Sequence, residues 1–421
     1  MMFVRFLRVY PSAWVGILSV LTACHSGAIT PPAPEGGLQT GSGSPDLAPP
    51  ARAGSAARRF VNWPQFGFIS SGGRFNPHER ILSPRSTPRL QMLWTYHTGL
   101  FLGSSPAVAK GVVYVGSDDD NVYALNAATG TKLWSYTTGG YLESSPAVAD
   151  GVVFIGSTDK NVYALNAATG AKLWSYTTGN YVFSAPAVAR GVVYVGSNDH
   201  NVYALDAAKG TKLWSYTTGN AVYCLAVANG VVYACSNDDN LYALNAATGI
   251  KIWSYTTGSL VESSPAVVNG VVYFGSYDNN VYALNAATGS KLWNYATGGV
   301  VASSPAVAHG MVYVSSVDGN VYALDAGTGA KLWSYAIGGV YSSPAVAHGV
   351  VYVGGSHLCG RHCGSADMYA IDAATGSKLW SYSAENYGNP IVDSSPAVAN
   401  GVVYVCFQLG YGASAVYAFG L

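Results

Sequence analysis

The chain has 421 residues, and its 21 lysines and arginines are balanced by 21 aspartates and glutamates. Charged residues make up 10% of it, against about 25% in an average soluble domain, so it has no basic field to hold a polyanion, and no nucleic-acid partner is expected. With 49% hydrophobic residues and 31 tyrosines, the chain has enough apolar surface for a large core, which excludes disorder for the molecule as a whole.

The first segment in chain order is an address. Residues 1–24 carry Arg5 and Arg8, then an apolar stretch from Ala13 to Thr22, the pattern of an export signal and too short for a membrane span. It ends in Leu21-Thr22-Ala23-Cys24, which resembles the bacterial lipobox. That resemblance implies cleavage before Cys24, lipidation of its thiol and anchoring to an envelope membrane by several acyl chains. Residues 25–60, rich in Pro, Gly, Ser and Ala, cannot bury enough apolar surface to fold and read as a flexible tether.

Residues 61–421 are one unit repeated. Tryptophan recurs at Trp94, Trp134, Trp174, Trp214, Trp253, Trp293, Trp333 and Trp380, at spacings of 39 or 40 residues until the last, which is 47. Each unit reads Ser-Ser-Pro-Ala-Val-Ala, Gly-Val-Val-Tyr-Val-Gly-Ser, Asn-Val-Tyr-Ala-Leu and Lys-Leu-Trp-Ser-Tyr, four short Val- and Tyr-rich strands bounded by turn residues. Asn229-Gly230, Asn269-Gly270, Asn400-Gly401 and Asp150-Gly151 suit two-residue hairpins that need positive φ. Prolines such as Pro106 and Pro146, which have no amide hydrogen to donate, place the first strand at an edge facing a central channel. Four strands per ~40 residues predict an all-β, eight-bladed β-propeller of four-stranded antiparallel blades. The eighth unit lacks its Lys-Leu-Trp strand, and the strand of Trp94 has no blade before it. Closure is therefore expected by pairing that N-terminal strand with the last blade.

The Ala-Leu-Asn-Ala-Ala-Thr-Gly-x-Lys-Leu-Trp motif resembles the tryptophan-docking repeat of the pyrroloquinoline-quinone-type (PQQ-like) propeller family, over roughly Trp63 to Leu421. The resemblance implies that each of the eight recurring indoles packs between neighbouring blades. The family holds both quinoprotein dehydrogenases, with quinone and calcium over the channel, and non-catalytic members such as the lipoprotein of the outer-membrane β-barrel assembly machine. The dehydrogenases resemble one another in an adjacent cysteine pair, a tryptophan floor and catalytic-domain insertions. This sequence has no Cys-Cys, and its two other tryptophans, Trp14 and Trp63, lie in the signal and in the entry segment.

One column of residues, two before each Ser-Pro pair, enters the channel mouth and includes Glu143, Phe183, Val222, Glu262, Tyr341 and Asp393. Glu143, Glu262 and Asp393 are the candidates for a calcium or cofactor site, carboxylates being what a hard cation takes. Counted along the chain they fall on the second, fifth and eighth units, a spacing that sets them apart and favours solvated funnel residues. Asp119, Asp159 and Asp199 precede Asn at each hairpin and read as turn formers. Cys224 and Cys235 lie symmetrically about Asn229-Gly230, facing each other on paired strands where an export compartment permits a disulfide. An insertion in the seventh unit holds His357, Cys359, His362 and Cys363, open to a soft-metal site or, more simply, a Cys359–Cys363 loop disulfide. Cys406 is expected as a buried thiol.

The reading adopted is a monomeric, non-catalytic cell-envelope propeller that serves as a protein-interaction or binding scaffold. Its partners would be envelope proteins or peptides, with the membrane reached through the lipid anchor; no cofactor and no catalytic residue is assigned. The alternative is a PQQ- and calcium-dependent quinoprotein alcohol or sugar dehydrogenase.

Overall fold

The computed structural model describes residues 61–339, 341–358, 364–386, 391–410 and 413–421. Eight sheets make up the ring. The first blade consists of Ala107–Ala109, Val112–Gly116, Asn121–Asn126 and Lys132–Thr137, ordered from the channel outward. Its hairpins have the chemistry the sequence gives them. Asn229 and Gly230, at φ 49° and 79°, form the positive-φ pair that matches the twist of the flanking strands, and Asp150 and Gly151 do the same at 49° and 79°.

Closure occurs as expected. Gln91–Thr98 is the outer strand of the last blade, antiparallel to Ala413–Gly420, with Trp94 opposite Ala418. No terminal blade is left with an unpaired face. Among the described residues the single helical element is a 3₁₀ turn, Thr87–Arg89, and no helix is long and apolar enough to cross a membrane.

Two recurring devices lock blade to blade. The first is the tryptophan. Trp134 Nε1 donates to the Ala167 carbonyl of the next blade at 3.0 Å, and Tyr114 Oη donates to that same oxygen at 3.0 Å. The indole lies over Gly170 (φ 75°), where a Cβ would stand 2.7 Å from Trp134 Cε3; glycine is required there both for its backbone conformation and for the space. The pattern runs unbroken round the ring, from Trp94 Nε1 to Ala127 O (3.1 Å) to Trp380 Nε1 to Leu90 O (3.0 Å). The second device explains the Ser-Ser pair. The amide of Ser105 donates to Ser145 Oγ at 2.9 Å, Ser264 to Ser304 Oγ at 2.9 Å, and Ser395 back to Ser105 Oγ at 2.8 Å. Serine hydroxyls thus satisfy the amides where the first strands crowd about the axis.

The inner edges are not left free. Residues 63–76 run under the ring and offer a partner to every innermost strand in turn. Val108, Val148, Val227, Val267, Val307 and Val346 donate their amides to the carbonyls of Trp63, Pro64, Ser70, Ser71, Gly73 and Arg74. Val188 donates to Gln65 Oε1, and Val398 accepts from Asn76 Nδ2. Phe75–Asn76 even adds a short parallel strand to the seventh blade. Gly72 (φ 75°) allows the crossing, since a Cβ there would meet the Pro265 carbonyl at 2.1 Å. The entry segment is therefore a plug, an arrangement the repeat pattern does not announce.

Candidate functional site

The plug occupies the channel end that carries the first hairpins. Asn62 Oδ1 accepts from the Lys110 amide, and Glu79 Oε2 accepts from the Gly401 amide. Its keystone is Arg74, 0% exposed. Arg74 donates from Nε to the Pro344 carbonyl (2.6 Å), from Nη1 to Phe66 (2.8 Å), and from Nη2 to Ser343 (3.3 Å) and Pro396 (3.2 Å). The planar fork spreads one charge over four carbonyls, which a lysine could not do. Trp63, buried beside it with its ring centroid 5.8 Å from Arg74 Cζ, is the one tryptophan outside the docking column among the described residues. It lies in the plug and supplies no floor for a quinone on the opposite face.

That opposite face is the candidate site. The carboxylate candidates stand differently from their spacing along the chain. Units two and eight are far apart in sequence, but ring closure places blade one alone between them, so Glu143 and Asp393 are near neighbours. Burial, then the charges of Asp118 and Asp393, hold the Glu143 carboxyl well above the ordinary carboxylate range. Asp393, 6% exposed, is pushed up to about 7 by burial against a hydrogen bond from Gln408 Nε2 at 3.0 Å. Asp118 completes the group and is raised to about 7, first by burial and then by Asp119 and Asp120. Sequence reasoning missed Asp118, although it is the first residue of a hairpin that enters the same mouth.

Glu262 stands on the fifth blade, across the mouth. It accepts from Tyr277 Oη at 2.5 Å and from Asn237 Nδ2 at 3.2 Å, and burial raises its carboxyl against those two bonds. The three candidates therefore do not converge as a set: two join Asp118, and one stands apart. Aromatic rings fill the sector between, with Phe183 stacked on Tyr223 at 5.9 Å and 8°. This corrects the column at blade four. Val222 aligns with Val182, both amides bonding to Ser197 or Ser157 carbonyls in the same way, so Tyr223 is the funnel residue and the 39-residue spacing marks the lost proline.

The turn aspartates behave as their spacing predicts. Asp159 accepts from the Asn161 amide, from Tyr163 Oη and from the Gly139 amide, and although burial opposes it these bonds hold its carboxyl below the ordinary value. The proposed Cys224–Cys235 disulfide is not formed. The two are register partners, but Cys235 is a free, buried thiol, whereas Cys224 is disulfide-bonded. Both sulfurs turn toward the next blade, against the carbonyls of Glu262 and Ser263, instead of toward each other. Cys406 is a free buried thiol. Cys24, Cys359, His362 and Cys363 lie outside the described residues, and for His357 only the backbone is described, paired with Ser365. Among the described residues no group of three or more His, Cys, Asp or Glu side chains is close enough to hold a metal ion.

Fold and site together define a tryptophan-docked, PQQ-like β-propeller with one plugged mouth and one acidic mouth. The chain belongs to the family described as outer membrane protein assembly factor BamB, whose model matches overlapping segments from residue 85 to residue 419. No curated protein matches it significantly. Among solved structures it is similar to BamB from Moraxella catarrhalis, at 20% identity and a TM-score of 0.63 over 78% of this chain and 97% of that one. It is also similar to the quinohemoprotein alcohol dehydrogenase ADHIIG from Pseudomonas putida HK5, at 18% identity and 0.69 over 86% and 80%. A third likeness is the computationally designed Ika8 protein, at 19% and 0.65 over 79% and 100%. Likeness at these identities concerns the fold.

Proposed function

We propose that this protein is an exported, lipid-anchored propeller of the cell envelope that binds other envelope proteins or peptides and performs no chemistry. The observation that carries the reading is the rim. Each blade ends in an outer strand with an unpaired edge, and in seven of the eight the residue before the docking tryptophan is a half-exposed leucine or isoleucine: Leu93, Leu133, Leu173, Leu213, Ile252, Leu292 and Leu332. A repeated apolar side chain beside an open strand edge is the combination that strand addition uses. The membership of the BamB-described family agrees with it.

The dehydrogenase alternative has one feature in its favour, the acidic mouth, but lacks the adjacent cysteine pair and, among the described residues, a tryptophan floor and a group of three acidic, His or Cys ligands. A photo-crosslinking residue placed at Leu133 or Leu213 in the native host tests the scaffold reading. A discrete adduct that disappears when the neighbouring strand edge carries Leu173→Glu is expected; an absence of adducts at every outer strand contradicts it. For the anchor, Cys24→Ala is expected to move the protein from the membrane to the soluble fraction, and an unchanged distribution would reject lipidation.

A further inference from the structure

Blade one presents a gap in the acidic mouth. Where its neighbours bring Glu143 and Asp393, its own column residue is Gly103, and a Cβ built there would touch nothing within 4 Å but Glu143, at 3.6 and 3.9 Å. Glu143 from blade two borders the space over Gly103; Asp393 from blade eight and Asp118, on the hairpin of blade one whose amide is tied to the Phe101 carbonyl at 2.9 Å, lie close enough to raise the Glu143 carboxyl by their charges. Two of these carboxylate oxygens, Asp118 Oδ1 and Asp393 Oδ1, are buried without a hydrogen-bond partner. Further round the mouth Asn198 Oδ1 and Asn237 Oδ1 are in the same condition. Buried polar atoms are nearly always satisfied, so the two unmatched carboxylate oxygens of Asp118 and Asp393 call for a donor from outside. Every one of these atoms is an oxygen able to accept, and residues 63–76 hydrogen-bond to the innermost strands at the far mouth.

We infer that the slot over Gly103 binds a small organic cation with several N–H donors, an alkylammonium or a guanidinium, through Asp118, Glu143 and Asp393. Among the described residues no three acidic side chains are grouped closely enough to hold one metal ion, which favours an organic cation over a bare one. Nitrogen donors spread along an alkyl chain or a guanidinium plane can reach carboxylates that no single ion could gather. The charges around the slot agree. Asp118 faces Asp119 and Asp120, Asp393 faces Gln408 and Tyr341, and Glu143 faces Asp118 and Asp393, an acidic surrounding that favours a cationic ligand. Binding therefore releases protons near pH 7 and tightens as pH rises. This inference goes beyond the scaffold reading and is independent of what docks on the rim.

Isothermal titration of the purified full chain with spermidine, and with agmatine as the guanidinium probe, tests it. Saturable binding of one ligand per chain is expected, tighter at pH 8 than at pH 6, with heats that vary with the buffer's ionisation enthalpy. Asp393→Asn and Glu143→Gln, which keep shape, should each weaken it about tenfold, the effect of one charge-assisted hydrogen bond. Gly103→Leu, which fills the slot while leaving all three carboxyls in the chain, should abolish it while circular dichroism confirms the fold. No saturable heat with either probe would overturn the proposal, as would equal affinities in all three variants or displacement of spermidine by equimolar calcium.

Discussion

Arg74 Cζ lies 3.7 Å from the centroid of the Phe66 ring, while Arg74 Nη1 donates to the Phe66 carbonyl. One residue thus reads its neighbour twice, by face and by backbone, at the centre of a plug that touches all eight blades. The contact joins an aperiodic segment to a periodic ring and fixes which mouth of the channel is plugged.

Replacing Arg74 with Met should destabilise the protein by about 3 kcal/mol or more, because four buried carbonyls lose their donors. Arg74→Lys should recover less than half of this, since one ammonium cannot reach Phe66, Pro344 and Pro396 together. Chemical denaturation of the three proteins measures both effects; equal stabilities would show the plug to be peripheral.

The docking tryptophans should behave as cores. Trp134→Ala is expected to cost about 3–5 kcal/mol through the cavity it leaves. Gly170→Ala should also destabilise, because the new Cβ enters the indole and the φ of 75° disfavours it. The two together should cost less than their sum, the clash vanishing with the ring.

Stability should fall as pH rises from about 4 to about 7. Asp393 and Asp118 are raised to about 7 in the folded protein, so the native state holds protons that the unfolded chain has lost above its ordinary carboxyl value. Their contribution is complete below that value and lost through the folded one. Asp159, Asp278 and Asp318 act in the opposite sense, held below their ordinary values by hydrogen bonds, and withdraw stability only in stronger acid. Asp393→Asn should flatten the decline between pH 4 and 7; an unchanged slope would contradict the burial argument.

Cys235 and Cys406 should resist a water-soluble disulfide reagent in the folded state and react after denaturation. Burial raises both thiols, Cys406 to about 12, and the thiolate is the reactive form. Labelling of either in the native protein would place it nearer the surface than its burial implies.

Much of the fold was legible because a repeat prints its architecture many times over. Trp94 and its seven counterparts, the Asn229-Gly230 turn and the orphan strand Gln91–Thr98 each carried a local physical meaning that the ring preserved. The plug was not legible. Residues 63–76 obey no period, and their hydrogen bonds go to strand edges that only exist once the ring has closed. Closure also misled the reading of the site, since Glu143 and Asp393 are distant in sequence and separated by one blade in space. Val222 was misplaced by a single deletion, and Cys224 faces Cys235 in register while the sulfurs turn to the next blade.

The central claim is that this ring binds and does not oxidise. Purified protein incubated with pyrroloquinoline quinone and calcium, then desalted and assayed for dye reduction with alcohols and sugars, tests it most directly. The account predicts no retained quinone and no dye reduced above the rate of free quinone. Quinone held at one per chain, with substrate-dependent dye reduction, would contradict it.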